Sequence, residues 1–426
     1  MMYQLENLNR LSQINTDQDI KSLSHAIFPG THCPLFGVAL TAAYVKNMTM
    51  IIVGTSECTY YTKNFAYHRQ KGEDSVYSLV LNDNEIVFGG HDKVVEAVRE
   101  IIAIEEPDAV MVVSTCVPEL IGENYDSIQY VLQEEQDIPI FIVHTEHYKC
   151  NSHIPGMSRA LKALSVAMEQ PTERTGVNLL GHRQANVEQT ELVQLLKKQN
   201  IEIKTVIPSK CTIQEIKQAA NVQLNIVTDM VALPLAEEMK AQFNVDYIYF
   251  DKHMNKEKIN ELYRQVQSKL NINLENELHV LQQTYDTLYE QVKLRLINKT
   301  MIYGNTPMMA FETVDFLNDL GIKPLVVQIR ELYEQDISNQ QSLLEKGHDP
   351  YITRIANIAP LRQLYDTIGA NLYVGHESPI LLKQKNMQQI TFDSHAQKIG
   401  YELPIAMMRD LVTLYTKGLS IGMGMN

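Results

Sequence analysis

The chain has 426 residues, room for two or three domains, and its 45% hydrophobic and 21% charged content excludes large-scale disorder and allows sizeable buried cores. Its 51 acidic against 37 basic side chains leave a formal net charge of −14, which argues against a protein that coats nucleic acid, since phosphate binding needs clustered Lys and Arg. The opening MMYQLENLNR lacks the basic start and apolar stretch of a secretion signal, and no apolar run approaches the roughly 18 residues of a membrane span, so a cytoplasmic protein without nucleic-acid or membrane partners is expected.

Short apolar runs alternate with helical patterns, which predicts repeated βα units around parallel sheets. In a first block, residues 1–172, strands are expected at Thr49–Val53, Asp108–Ser114 and Ile138–Val143. A helix should begin near Asp92, with Val94, Val95, Val98, Ile101 and Ile102 as its apolar face. The second block, 173–255, predicts strands at Val177–Leu180, Ile201–Ile207, Gln223–Val227 and Val245–Phe250, and helices at Glu191–Lys198, Thr212–Ala219 and Leu233–Gln242. Residues 256–298 read as a helical insertion, best taken as two packed helices. The third block, 299–426, predicts strands at Thr300–Tyr303, Pro324–Ile329, Asn371–Val374 and Gln389–Phe392, a helix at Ala310–Leu320 and a C-terminal helix near Ile405–Thr416.

Five cysteines in a reducing compartment are buried apolar residues, catalytic thiols or metal ligands. Cys58 follows the strand Thr49–Val53, and Cys116 follows the strand ending at Ser114. Ligands of open α/β sheets bind beyond the carboxyl ends of strands, so these two thiols are candidates to meet in space. Cys33, in Pro29–Gly30–Thr31–His32–Cys33–Pro34, precedes an expected helix whose N–H groups would favour the thiolate that a metal needs. There is no Cys-x-x-Cys, so spacing alone leaves both a shared metal and three small buried residues open.

The surrounding residues narrow the choice. The Cys33, Cys58, Cys116 layout, Val87–Phe88–Gly89–Gly90, and Ser114–Thr115–Cys116–Val117–Pro118–Glu119–Leu120–Ile121–Gly122–Glu123–Asn124 together resemble nitrogenase component 1 subunits. Weaker echoes are Ser152–His153–Ile154–Pro155–Gly156, Val177–Asn178–Leu179–Leu180–Gly181 and Gly375–His376–Glu377. The resemblance implies an α/β protein of three Rossmann-like, doubly wound parallel-sheet domains around a central cleft. It further implies an iron–sulfur cluster on Cys33, Cys58 and Cys116, either [4Fe–4S] or part of a P-cluster-like group. A homologous subunit would pair with the chain, and an ATP-dependent iron protein with its own [4Fe–4S] cluster would deliver electrons. No Walker-type Gly-x-x-x-x-Gly-Lys-Ser/Thr run occurs, so ATP is assigned to that separate protein.

Departures from the family pattern bear on activity. Val53–Gly54–Thr55–Ser56–Glu57–Cys58 lacks the His, the Pro and the second Gly of the family's His-Gly-Pro-x-Gly-Cys. Asp229 stands where catalytic α-type subunits carry the cysteine that holds the molybdenum–iron cofactor, and His395 is the nearest candidate for that cofactor's histidine. Asp229 is therefore expected either as a proton donor or ligand in the cleft, or as a cap of the helix beginning near Leu233 or the partner of a neighbouring base. The loop holding His144, His147, Cys150 and His153 lacks a paired metal-binding spacing and is expected to be solvated, while Cys211 is placed at the cleft edge. The expected function is a nitrogenase-like reductase subunit acting on a small molecule other than dinitrogen; the alternative is a scaffold for assembling a nitrogenase-type metallocluster.

Overall fold

The computed structural model describes residues 3–25, 33–65, 75–150, 152–183, 186–209, 211–304, 309–355 and 358–422; residues 29–32 of the motif before Cys33 lie outside these. Strands are numbered in chain order, and β1 (Asn9–Arg10) belongs to the last of three sheets. Two compact units divide the chain, one formed by His32–Gln189 with Leu196–Asp251, the other by Met1–Thr31, Thr190–Leu195 and Lys252–Asn426.

In the first of these, β2 (Met48–Gly54), β3 (Val76–Val80), β4 (Ala109–Ser114) and β5 (Ile140–His144) form a parallel sheet of order β3-β2-β4-β5. Every residue of β2 and β4 is buried, because MTMIIVG and AVMVVS are apolar enough to be covered on both faces. A second parallel sheet has the order β7-β6-β8-β9, from β6 (Val177–Leu180), β7 (Ile203–Ile207), β8 (Leu224–Val227) and β9 (Tyr247–Tyr249). One apolar core serves both sheets: it runs from Leu35 and Val38 through Met157 and Leu161 to Val227, Leu235 and Val245.

The other unit holds β10 (Lys299–Tyr303), β11 (Ile322–Ile329), β12 (Tyr351–Arg354), β13 (Leu372–Val374) and β14 (Gln388–Ile390), ordered β1-β12-β11-β10-β13-β14. All neighbours pair in parallel except β1, which closes one edge antiparallel. The α/β class and the parallel, Rossmann-like sheets match the sequence expectation. The helical insertion forms the helices Lys256–Leu270 and Glu275–Leu296, interrupted where Asn271 turns left-handed at φ 52°. Three strands, β1, β3 and β12, and the helix Ser56–Phe65 were not expected from sequence; their residues are mixed in burial and give no continuous apolar run.

Two buried carboxylates tie this unit together. Glu312 accepts from the Met254 N–H at 2.8 Å and Asn339 at 3.0 Å, with His253 at 3.3 Å and Lys258 at 3.4 Å. Burial alone would raise it, yet His253 and Lys258 hold it down at about 2. Glu191 accepts from the Tyr263 hydroxyl at 2.6 Å and the Tyr401 N–H at 2.9 Å, and burial pushes it up to about 7. Among the described residues no helix is long and apolar enough to cross a membrane.

Candidate functional site

Cys33 is the residue before the helix Pro34–Ala42, and a proline at that helix's first position suits a backbone group with no partner to lose. The helix is held by a crossing with Ile154–Ala163 so close that side chains are excluded. A Cβ on Gly37 would lie 1.9 Å from the His153 carbonyl oxygen, and one on Gly156 would lie 1.9 Å from that of Pro34. The Ser-His-x-x-Gly echo thus has a physical role: Gly156 lets two backbones touch next to the first cysteine.

Cys58 and Cys116 leave the sheet through neighbouring strands. β2 and β4 pair with Val53 opposite Ser114, which is where the strand order reverses and ligands of open sheets gather. Cys58 is the third residue of the helix Ser56–Phe65, and Cys116 begins the short helix Cys116–Leu120. The Thr115 hydroxyl donates to the Val53 carbonyl at 2.8 Å, latching one exit to the other. Only glycine fits beneath that latch, because a Cβ on Gly54 would stand 1.9 Å from Thr115 Oγ1.

Two of the three thiols are shifted in the same direction. Burial pushes Cys33 up, offset by the N–H groups of Phe36 and Leu35, and the Cys58 charge adds to the rise. Cys116 is also raised, first by burial, then by Cys58, Glu119 and Cys33. Such coupling requires proximity, although 83 positions separate Cys33 from Cys116. Among the described residues, however, no three His, Cys, Asp or Glu side chains converge as a single metal ion would demand. Thiolates are soft donors of the kind an iron–sulfur cluster takes.

The signature segment around Cys116 works as joinery. Glu119 accepts from the Ser114 hydroxyl at 2.7 Å and from the backbone N–H groups of Thr145 at 2.6 Å and Glu146 at 2.8 Å. Glu123 accepts from the Gly90 N–H at 3.2 Å, which ties Val87–Phe88–Gly89–Gly90 to the same segment. Around this tie Val87, Phe88, Leu120 and Ile121 are exposed, Phe88 by 84%.

The remaining candidates fall elsewhere. Asp229, only 8% exposed, caps the turn Met230–Ala232 through the Val231 N–H at 3.2 Å and faces Arg183 at 3.5 Å. The expected cap and base pairing are thus both present, although the cap serves that turn and not the following helix. Arg183 was missed in the sequence; the signal was that Gly181–His182–Arg183 leaves β6 beside the exit of β8. His395 pairs with Asp410 at 2.7 Å. Cys211, expected at an edge, is instead a core residue 2% exposed, pushed up to about 12 by burial. The loop residues part ways: His144 meets Ser114 at 3.1 Å, Cys150 reaches the Glu146 carbonyl at 3.6 Å, and His153 packs edge-on against Phe36. His147 lies 3.4 Å from the Cys116 sulfur. Its importance was also missed, since 31 residues separate the two.

Comparison with known proteins identifies a family and a shared fold. The description of nitrogenase component 1 type oxidoreductases matches residues 33–415. The nitrogenase iron–molybdenum cofactor biosynthesis protein NifE of a Nostoc species is 24% identical over 348 residues, covering 79% of this chain and 72% of that protein. The nitrogenase molybdenum–iron protein alpha chain of Clostridium pasteurianum is 24% identical over 217 residues, covering 48% and 41%. The solved structure of nitrogenase Cp1 at pH 6.5 shares the fold with a TM-score of 0.78, over 94% of this chain and 95% of that one, at 15% identity.

Proposed function

The chain belongs to the nitrogenase component 1 type oxidoreductases, and from that premise we propose that it is an iron–sulfur redox subunit with Cys33, Cys58 and Cys116 as its cluster ligands. The observation that carries this reading is the delivery of three thiols by three separate elements, two of them where the paired strands β2 and β4 end side by side. A bound cluster would supply one-electron transfer. The chain's own residues hold its seat: Gly37 and Gly156 fix Cys33, the Thr115 latch fixes the exits to Cys58 and Cys116, and Glu119 fixes the loop beside them. The electron donor is an ATP-dependent iron protein, and the partner is a homologous subunit. The exposed Val87, Phe88, Leu120 and Ile121 beside the Cys116 segment support a protein covering that face.

Asp229 and Arg183 bear on what is reduced. A carboxylate prefers hard cations or hydrogen bonds to the soft metals that a thiolate would hold, so the substrate is a small molecule other than dinitrogen. A second reading, assembly of a nitrogenase-type metallocluster, is favoured by the same replacement together with the cofactor-biosynthesis role in the names of NifE relatives.

Anaerobic purification with the partner tests the main reading. It predicts iron and acid-labile sulfide, an absorption band that bleaches on adding the iron protein with ATP, and retention of the iron through turnover. Cys116→Ala should lose most of the iron while its far-UV dichroism is unchanged, because Cys116 is only partly buried. A fully loaded C116A with an unaltered spectrum refutes the ligand assignment. Transfer of the iron to an acceptor protein, without substrate reduction, selects the assembly reading.

A further inference from the structure

Glu146 has a left-handed backbone, φ 43° and ψ 45°, an unfavourable state for a residue with a Cβ. Such strain persists only where surrounding contacts over-determine it. Here they do. The Glu119 carboxylate takes the N–H groups of Thr145 and Glu146, Arg159 donates to the Thr145 carbonyl, and the Glu146 side chain pairs with Arg159 at 2.8 Å and Lys149 at 2.6 Å. The result of this enforced turn is that the next residue, His147, is carried to 3.4 Å from Cys116 Sγ through Nδ1. Glu119 lies in the same short helix as Cys116, so one carboxylate fixes both members of the pair.

Resting on the cluster reading above, we propose that His147 is a positioning residue whose Nδ1–H donates a hydrogen bond to the Cys116 sulfur and raises the reduction potential of the cluster. A donor aimed at a ligating sulfur stabilises the more negative, reduced state and leaves the oxidised state less affected. The other two sulfurs are served differently. Cys33 receives the backbone N–H groups of Phe36 and Leu35. The single hydroxyl hydrogen of Thr55 is contested between Cys58 Sγ, 3.6 Å away, and the Glu57 carboxylate. Among the described residues His147 is therefore the side-chain donor dedicated to one sulfur, and the one whose removal alters no backbone hydrogen bond of the seat.

The test is a redox titration of the iron-loaded protein, followed by absorbance and by electron paramagnetic resonance, on wild type, His147→Phe and His147→Gln. Phe keeps a ring and removes the donor; Gln restores an N–H. His147 is solvent-exposed, so neither change threatens the fold. The expected result is full iron in both variants, with the H147F reduction equilibrium shifted about tenfold toward the oxidised state, ~59 mV for one electron, and H147Q returning toward wild type. Full iron with an unmoved H147F midpoint overturns the proposal while leaving the cluster assignment intact. Loss of iron from H147F also overturns it, because His147 would then be a ligand. A wild-type protein without iron removes the cluster reading and this inference with it.

Discussion

Adding one methyl group at Gly156 should separate the first cysteine from its seat. The Cβ of Gly156→Ala would fall 1.9 Å from the Pro34 carbonyl oxygen, whereas a carbon and a carbonyl oxygen in contact sit about 3.3 Å apart. The helices Pro34–Ala42 and Ile154–Ala163 must therefore part by roughly 1.4 Å. Two terms oppose each other in the energy. Ala gains at most about 1 kcal/mol of helix propensity over Gly, and less here because Gly156 is the third residue of its helix. Overpacking costs about 1–3 kcal/mol, toward the upper end because the obstacle is backbone and not a side chain that can swing away. The net expectation is a loss of about 2 kcal/mol, read as a lower denaturant midpoint with an unchanged slope. Because Cys33 adjoins Pro34, iron content should fall even in buffer where the variant remains folded. G156A with the wild-type midpoint and full iron would refute the argument that this crossing positions the cysteine.

Asp229→Asn should leave stability within about 1 kcal/mol, since Asn caps nearly as well as Asp. Lost turnover in that folded, iron-replete variant would show that the charge facing Arg183 serves chemistry; wild-type turnover would leave only the cap and the ion pair. Gly54→Ala should disorder the Thr115 latch and lower iron content, with Thr115→Val, which deletes the hydroxyl bond, as a milder version; full iron in G54A would count against the latch. Glu191, raised to about 7 from an ordinary 4.5, contributes stability that is complete below about pH 4.5 and lost as pH rises through about 7. Glu312, held at about 2, contributes stability present above about pH 4.5 and lost as pH falls toward about 2. Denaturant midpoints measured across this range should fall less steeply toward neutral pH in Glu191→Gln than in wild type; identical slopes would refute the assignment.

What the sequence revealed followed burial and motif density. The central strands β2 and β4 were legible because burial on both faces demands unbroken apolar runs, and β6 and β8 for the same reason. The partly exposed edge strand β3 and the four-residue β12 left no such run. Cys116 was legible because the residues around it are constrained by their bonds: Glu119 and Glu123 each tie down a distant loop. His147 was not, because nothing local distinguishes it from its neighbours His144 and His153. Only the strained turn at Glu146, closed by a carboxylate 27 residues earlier, brings it to the sulfur. Cys211 was misplaced because a thiol just past a strand can face either the rim or the core; its bond to the Pro208 carbonyl at 3.5 Å turns it inward. Asp229 could be reduced to alternatives only, since a cap and a functional carboxylate look alike in a string of letters.

The crossing at Gly37 and Gly156 also bears on how such a protein survives oxygen. Where a metal organises its own site, as in a zinc finger, losing the metal unfolds the chain and exposes it to proteolysis. Here the seat of Cys33 is set by backbone against backbone, within a core of aliphatic and aromatic side chains. A molecule stripped of iron would remain folded, with its first thiol still in register for a new cluster. Oxidative damage to the proposed cluster would then be answered by reloading the existing polypeptide, whose lifetime would not be limited by that of the cluster.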